Sequence, residues 1–429
     1  MENLDRRMLL AGLGLVGAAA AASAGAGTLT PPAGPVLPTG KTTTEIEPRT
    51  AVNAANTPGN ATSVYRITLP GSYYLTGNVT GLSGKNGVEI TVGGVTLDLN
   101  GFELAGVAGS LIGVYVNGFN ADNVCVQNGT VRNWGFNGVS LIDGFARNCR
   151  VSGISASTNG DNGILAGGGC TISHCVAMLN ANQGIVTNEG CTITHCAAYF
   201  NSSTGIFGGN GSMISNCAAS NNTTVGIQIL TGGTITDCST YANTVYGISA
   251  GSGSSVVNCT AFSNGVVGIL GGGECAITQC SANSNFGDGI SVNNGCSVQG
   301  CQASNNTFNG ILALQGCTVR NCQVRSNVLN GISIGNNGLV VDNLCDVNGL
   351  AAGTQSNIYI NGSSCRVDGN AVTGGDRGIA TSGGGINNLI IRNSCRGGTN
   401  PYGGIGGTND VGPIGSAATS TSPWANILF

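Results

Sequence analysis

Hydrophobic and polar positions along this chain follow neither the 3.6-residue stripe of a helix nor one long alternation; short runs of alternation recur at a fixed interval instead. Gly-Ile pairs start at Gly163, Gly184, Gly205, Gly226, Gly247, Gly268, Gly289, Gly310 and Gly331, each 21 residues after the last. Counted from that glycine, position 1 is Ile, position 9 is Ile or Val, and position 14 is mostly Ala. Position 12 is Cys in eight consecutive copies, Cys175 through Cys322, and position 17 is Asn nine times running, Asn180 through Asn348. Positions 1 and 3, 7 and 9, and 12 and 14 share a parity, so each pair projects from one face of a short strand. Parity flips between 9 and 12, which requires a corner. Its second residue is often His, Asn or Asp (His174, Asn216, Asp237), and Asn and Asp tolerate the left-handed conformation of a sharp corner.

Three short strands per 21-residue repeat cannot bury their own apolar face, so the repeats must stack at about 4.8 Å with like residues over like. Columns of Ile, Cys, Ala and Asn result, and stacked Asn side chains can bond amide to amide. The expected fold is all-β: a single parallel β-helix with N-terminal cap strands. Looser copies at Gly87, Gly113, Gly138, Asn357 and Gly378 extend it to about thirteen coils, a rod about 60 Å long. The frame Ile-x-x-Cys-x-Ala-x-x-Asn also matches a leucine-rich repeat, but the other half, Gly-Ile-x-x-x-x-Gly, lacks the leucine-bearing segment such a repeat needs.

Residues 1–26 read as an export signal, with Arg6 and Arg7, an apolar run, and small residues at Ala22, Ser23 and Ala24. The adjacent arginines resemble a twin-arginine signal, although Asp5 stands where Ser or Thr is usual, and a general secretory signal fits nearly as well. A Pro/Thr-rich linker follows at 27–48, then cap strands at 49–86, the β-helix at 87–396, and an irregular cover at 397–429 anchored by Trp424 and Phe429. This organisation implies a periplasmic or extracellular protein, with no membrane association once the signal is removed. Charged residues make up only 8% of the chain, and 15 Lys plus Arg are spread thinly at a net charge of −4. No basic stripe exists to neutralise a nucleic-acid backbone.

Ahead of the regular copies stand YRITLPGSYYLTGNVTG (65–81), GVEITVGGVTLDLNGFELAG (87–106) and VCVQNGTVRNWGFNGV (124–139). With them the chain resembles bacterial exported right-handed parallel β-helix repeat proteins of the pectin-lyase-like superfamily, over residues 49–396. The resemblance implies a right-handed coil. It leaves activity open, since that superfamily contains lyases, hydrolases, epimerases, phage tailspikes and adhesins. Its polysaccharide-active members usually work in a groove on an outward sheet, with clustered acids and bases.

Candidate chemistry is sparse. The cysteines at positions 7 and 12 recur five residues apart; common zinc spacings are tighter, and bridges along a column would strain because the Cβ vectors are parallel. They are read as buried free thiols acting as small hydrophobes. His174 and His195 share a corner column about 5 Å apart, with Asp237 two coils beyond; they are surface corner residues, or a metal pair lacking a positioned third ligand. No cofactor is expected. Asp143 and Glu189 occupy equivalent positions two coils apart, about 10 Å, near the upper limit for inverting glycosidase carboxylates. Asp342, Asp346, Arg366, Asp368, Asp376 and Arg377 form the densest charge group, where the repeat lengthens to 26; solvated turns compete with a site there. Tyr115, Phe119, Trp134 and Phe136 either stack on sugar rings or close the end of the solenoid. The outward position after each Ile (Leu165, Val186, Phe207, Gln228 and onward) carries no acid or base. The first reading is therefore an exported β-helix that presents a long face to polysaccharide, binding rather than cleaving. A polysaccharide lyase, hydrolase or epimerase is the second reading, and a surface or matrix structural protein or adhesin the third.

Overall fold

The computed structural model describes residues 47–429 apart from 119–120, 144–145, 351–352, 354 and 397, with Ile142 and Asp143 described by backbone alone. The expected export signal, and all but the last two residues of the expected linker, lie outside them.

Each coil contains three strands. In the coil starting at Gly163 they are Ile164–Ala166, Thr171–Ser173 and Val176–Met178. Each pairs in parallel with its equivalent 21 residues on, without slip: Ile164 with Ile185, Ile172 with Ile193, Ala177 with Ala198. First strands form one 16-stranded sheet; second and third strands share a 32-stranded sheet. The stack is longer than the repeats alone indicate. Ser63–Ile67 and Gly71–Leu75, expected as caps, pair in parallel with Asn86–Ile90 and Val95–Asp98 as a coil of the same stack. Asn400–Gly403 and Asn426–Leu428 likewise pair with Arg377–Thr381 and Ser394–Arg396, where an irregular cover was expected. Trp424 and Phe429 do not anchor that segment in the core. They are 52% and 61% exposed and lie against the Arg392 and Arg396 guanidinium groups, because the coils' own side chains already fill the lumen.

From Asn123 to Gly374 each coil turns through three left-handed residues spaced five apart: in the coil starting at Gly163, Gly169, His174 and Leu179 have φ of 65°, 54° and 55°. The next residue in each case, Cys170, Cys175 or Asn180, is buried. That pentad is the origin of the five-residue cysteine spacing. Throughout the Asn column, and at several corners of the two Cys columns, the N–H of the inward residue leaves the strand ladder and the side chain one coil on accepts it. Cys170 N–H donates to Cys191 Sγ (3.3 Å), Cys196 N–H to Cys217 Sγ (3.4 Å), and Asn180 N–H to Asn201 Oδ1 (3.1 Å). Where the cysteine column is interrupted, Ser212 Oγ accepts from Cys191 (3.1 Å) and Asn343 Oδ1 from Cys322 (2.9 Å). Thiol, hydroxyl and amide thus serve one purpose. All eighteen cysteines are unpaired, and all but Cys125 are buried. Burial holds the Cys345 and Cys365 thiols above the usual range, so these two remain protonated core residues.

The Asn column is the strongest of the three. Asn243 Oδ1 accepts both the backbone and side-chain N–H of Asn222 (3.1 and 3.0 Å), while its Nδ2 donates to Ala219 O (3.0 Å). The amide also dictates the glycine of Gly-Ile. A Cβ at Gly163 would stand 2.7 Å from Asn180 Nδ2 and 2.7 Å from Gly184 O, closer than any side chain allows.

Two outcomes are expected. Asn243→Ala takes the acceptor from the buried Asn222 backbone N–H and one bond each from Asn222 Nδ2 and Ala219 O; at ~1–3 kcal/mol for an unsatisfied buried group, thermal or urea unfolding should show a loss of about 2 kcal/mol or more. Cys322→Asn, which extends the Asn343 column by one coil, should fold normally. In native protein a thiol reagent should reach no cysteine except Cys125, and in denaturant all eighteen; rapid native labelling of the columns would contradict this packing.

Candidate functional site

The outward face of the first-strand sheet reads, in register, Arg66, Glu89, Tyr115, Ser140 and Leu165, and continues through Ser333, Tyr359 and Ala380. Leu165 through Ser333 carries no charge, as the sequence indicates. Glu89 was overlooked, although it occupies the same outward position in the loose copy Gly87-Val88-Glu89. Its side chain is only 3% exposed. Ser63 Oγ (2.6 Å), Asn117 Nδ2 (3.0 Å) and Asn60 Nδ2 (3.4 Å) donate to it, and Arg66 Nε lies 3.6 Å away. The segment carrying Asn60 and Ser63 thereby lies over an outward carboxylate, which is enclosed and bonded rather than open to a substrate.

His174 and His195 stack with ring centroids 5.0 Å apart and planes 4° from parallel. His195 Nδ1 bonds Thr194 Oγ1 at 2.8 Å, while Asp237 takes hydrogen bonds from Asn258 (2.5 Å) and Thr236 (3.0 Å). Among the described residues no group of three or more His, Cys, Asp or Glu side chains surrounds a common point. Histidine is among the residues enriched at left-handed positions, which accounts for both placements. The Asp143 backbone pairs with Asn117 across a register shift, and Glu189 is exposed two coils further on.

The dense charge group separates onto different faces: Arg366 and Asp368 share the outward face of a second strand, whereas Asp346 lies on a third strand and Arg377 on a first strand. Asp368, 3% exposed, accepts from Arg366 (Nε 3.1 Å, Nη2 2.6 Å) and from Arg392 (Nε 2.7 Å, Nη2 2.5 Å). Arg392 was not singled out in the sequence; it arrives from the next coil, at the corner position equivalent to His174. Asp342 lies within electrostatic reach of Arg392. Asp346 stands across the corner with Thr373 (2.5 Å) and Arg325 (3.4 Å). Asp376 accepts from Thr399 (3.0 Å), and Arg377 belongs to the first-strand sheet, paired with Ser356 and Asn400. These residues do not form one site.

A different feature emerges on the third strands. Met178, Tyr199, Ser220, Tyr241, Phe262 and Asn283 lie in register on the outward face. Tyr241 and Phe262 are 51% and 46% exposed, with rings 5.8 Å apart and planes 10° from parallel. At the adjoining corner Leu179 and Phe200 are about half exposed at φ of 55° and 57°, and Phe200 packs edge-on against Tyr199. Phe286 and Phe308 follow on the turn leading to the next first strand, also exposed. A bulky side chain in the left-handed region costs ~1–2 kcal/mol, and Asn221 and Asn305 fill the same column at less strain. Low aromatic content and the 21-residue period dispersed these residues in the sequence; alignment at positions 15 and 16 would have found them.

Residues 187–318 match the family model described as a right handed beta helix region. No curated protein matches the chain. Solved structures with a similar chain course include the A-module of a mannuronan C-5 epimerase from Azotobacter vinelandii, at 14% identity and TM-score 0.43, covering 84% of this chain and 91% of that one. The Dettilon phage tailspike protein is 13% identical at TM-score 0.40, over 68% and 62% of the two chains. A tailspike mutant of E. coli bacteriophage HK620 in complex with a hexasaccharide is 13% identical at TM-score 0.40, over 74% and 69%.

The Arg392 hydrogen bonds, followed by those of Arg366, outweigh burial and hold the Asp368 carboxyl below the usual range. A depressed carboxylate contributes stability that is complete above its unfolded value near ~3.9 and is lost as pH falls through the folded value. Asp368→Asn should therefore lower stability at neutral pH by about 1.5–3 kcal/mol and flatten the acid limb of a melting-temperature profile. Identical acid limbs for the two proteins would rule this out.

Proposed function

We propose that this right-handed parallel β-helix binds a neutral extracellular or cell-wall polysaccharide along its aromatic edge without cleaving it. The observation that carries the reading is the solvent-facing stripe of Tyr199, Phe200, Tyr241 and Phe262, in which Phe200 is held in a strained corner where a polar residue would be easier. Strain retained at an exposed apolar side chain points to a use for that side chain. Aromatic faces offer large contact area to the flat C–H face of a sugar ring at little entropic cost. The coil repeat of about 4.8 Å presents such contacts at regular intervals, as a repeating polymer requires. Ser220 and Asn283, in the same column, supply hydrogen-bonding partners.

Charge favours a neutral polymer. Between Gly163 and Gly331 the only charged residues are Glu189, Asp237, Glu274, Asp288, Arg320 and Arg325. Two scattered bases give an acidic chain nothing to pair with along this length. The same scarcity supports binding over cleavage, since a glycoside is broken by two carboxylates flanking the bond. The signal-like pattern of residues 1–26 supports an exported location.

Affinity electrophoresis in soluble glucan, mannan and xylan, with uronate polymers for comparison, tests the reading. The Tyr241→Ala/Phe262→Ala double variant should bind a neutral polymer about tenfold more weakly, roughly 1.4 kcal/mol, at unchanged melting temperature. Polymer length before and after incubation separates the alternatives. Shortening would establish an enzyme, whereas no retention by any polymer would leave a structural role.

A further inference from the structure

A cavity of about 380 Å³ lies on the second-strand face of the final coils, within the ~300–1,000 Å³ range of small-molecule sites. It is distinct from the aromatic edge, which belongs to the third strands. Arg366, Leu389 and Asp410 stand in register across three successive coils at its floor, and Ile391 and Val411 add apolar surface. The segment carrying Pro413 and Trp424 supplies the remaining wall.

The lining mixes two chemistries. Leu389 stands in register between Arg366 and Asp410, and Trp424, Ile391 and Val411 add further apolar surface. Arg366 is held in place by two hydrogen bonds to Asp368, and Arg392, fixed on the same carboxylate, lies 5.8 Å from the Trp424 ring centroid. Donors held in place and a solvent-facing carboxylate beside an aromatic plane match a ligand with one apolar face and a rim of hydroxyls. A guanidinium and a carboxylate can each engage two adjacent hydroxyl groups. Net charge selects further: Arg366 and Arg392 share Asp368, and Asp410 adds a negative charge, so no excess positive field attracts a phosphate or carboxylate.

We infer that the cavity formed by Arg366, Leu389, Asp410 and Trp424 is a second glycan subsite that takes a single neutral sugar ring, stacked on Trp424 with its hydroxyls on Arg366 and Asp410. The choice of a sugar rests on the polysaccharide reading above; the cavity and its lining do not.

Intrinsic fluorescence reads this site directly. The chain has two tryptophans. Trp134 is 1% exposed with its Nε1 donating to Leu104 O (3.1 Å), and only Trp424 is open to solvent. Titration with the methyl glycosides of glucose, galactose, mannose and N-acetylglucosamine should give, for at least one, a saturable change with a midpoint of about 1 mM, the scale for a ligand of about a dozen heavy atoms. Asp410→Ala, an exposed position, should weaken that response fivefold or more, and Leu389→Trp, which fills the cavity, should abolish binding measured by calorimetry. Polymer retention through Tyr241 and Phe262 should persist in both variants. Fluorescence insensitive to every glycoside, or a response unchanged in Asp410→Ala, would overturn the subsite while leaving the aromatic edge intact. A saturable, Asp410-dependent response in a protein that no polymer retains would support the subsite and defeat the edge.

Discussion

The structure depends on what happens to one N–H group at each corner. A coil that turns through three left-handed residues directs three N–H groups out of the strand ladders and into the lumen, where each unpaired group would cost ~1–3 kcal/mol. Throughout the Asn column, and at several Cys and Ser corners, the inward side chain of the next coil accepts that proton, so polar atoms line a core that is otherwise Ile, Val and Ala. Asn meets the requirement best, because its oxygen takes two N–H groups and its amide returns one to a carbonyl. Cys and Ser meet it with fewer bonds and less volume. The columns interchange these residues for that reason: the cysteine column at position 12 becomes Asn343, Asn370, Asn393 and Asn426 in the last coils, each bonded to the next. The Asn column at position 17 ends where the repeat lengthens, and Asn357 turns its amide to Gly374 O (2.7 Å).

With the core solved by repetition, charge has little structural use along the middle of the solenoid. It concentrates in the irregular coils, where Arg49 approaches Asp98 (3.4 Å), Arg66 approaches Glu89 (3.6 Å), and Arg366 and Arg392 share Asp368. Exposed ion pairs contribute ~0–1 kcal/mol. The Glu89 and Asp368 clusters differ because their carboxylates are enclosed, so their partners must stay in place. Both tie a non-repeating segment to a regular face: the segment around Asn60 in one case, the segment around Trp424 in the other.

The proposed functions exploit the two kinds of surface that result. The regular coils form a neutral lattice on which aromatic residues can be set at fixed intervals, suited to a long repeating ligand. The irregular coils form a concave, charged and rigid corner, suited to one ring. A polymer engaged along the edge and a unit held in the cavity need not be the same molecule, since the two surfaces lie on different strands of the coil.

The sequence by itself determined the repeat, the three strands and the inward columns, and from the columns the expectation of unpaired cysteines. The same 21-residue unit recurs nine times, so stacking alone places each residue over its equivalent and no long-range information is needed. It also showed that the first-strand face lacks acids and bases from Leu165 to Ser333. What only the tertiary structure decided lies where the period fails. Glu89 is enclosed by a segment some 26 residues earlier, Asp368 gains Arg392 from 24 residues later, and the cavity closes only when Trp424 returns over strands more than 30 residues before it. Those contacts join segments with no common spacing, so their partners are set by how irregular loops pack against a regular stack. The aromatic edge is an intermediate case: its positions repeat, but which of them stay exposed and strained depends on the corner geometry that the folded coil imposes.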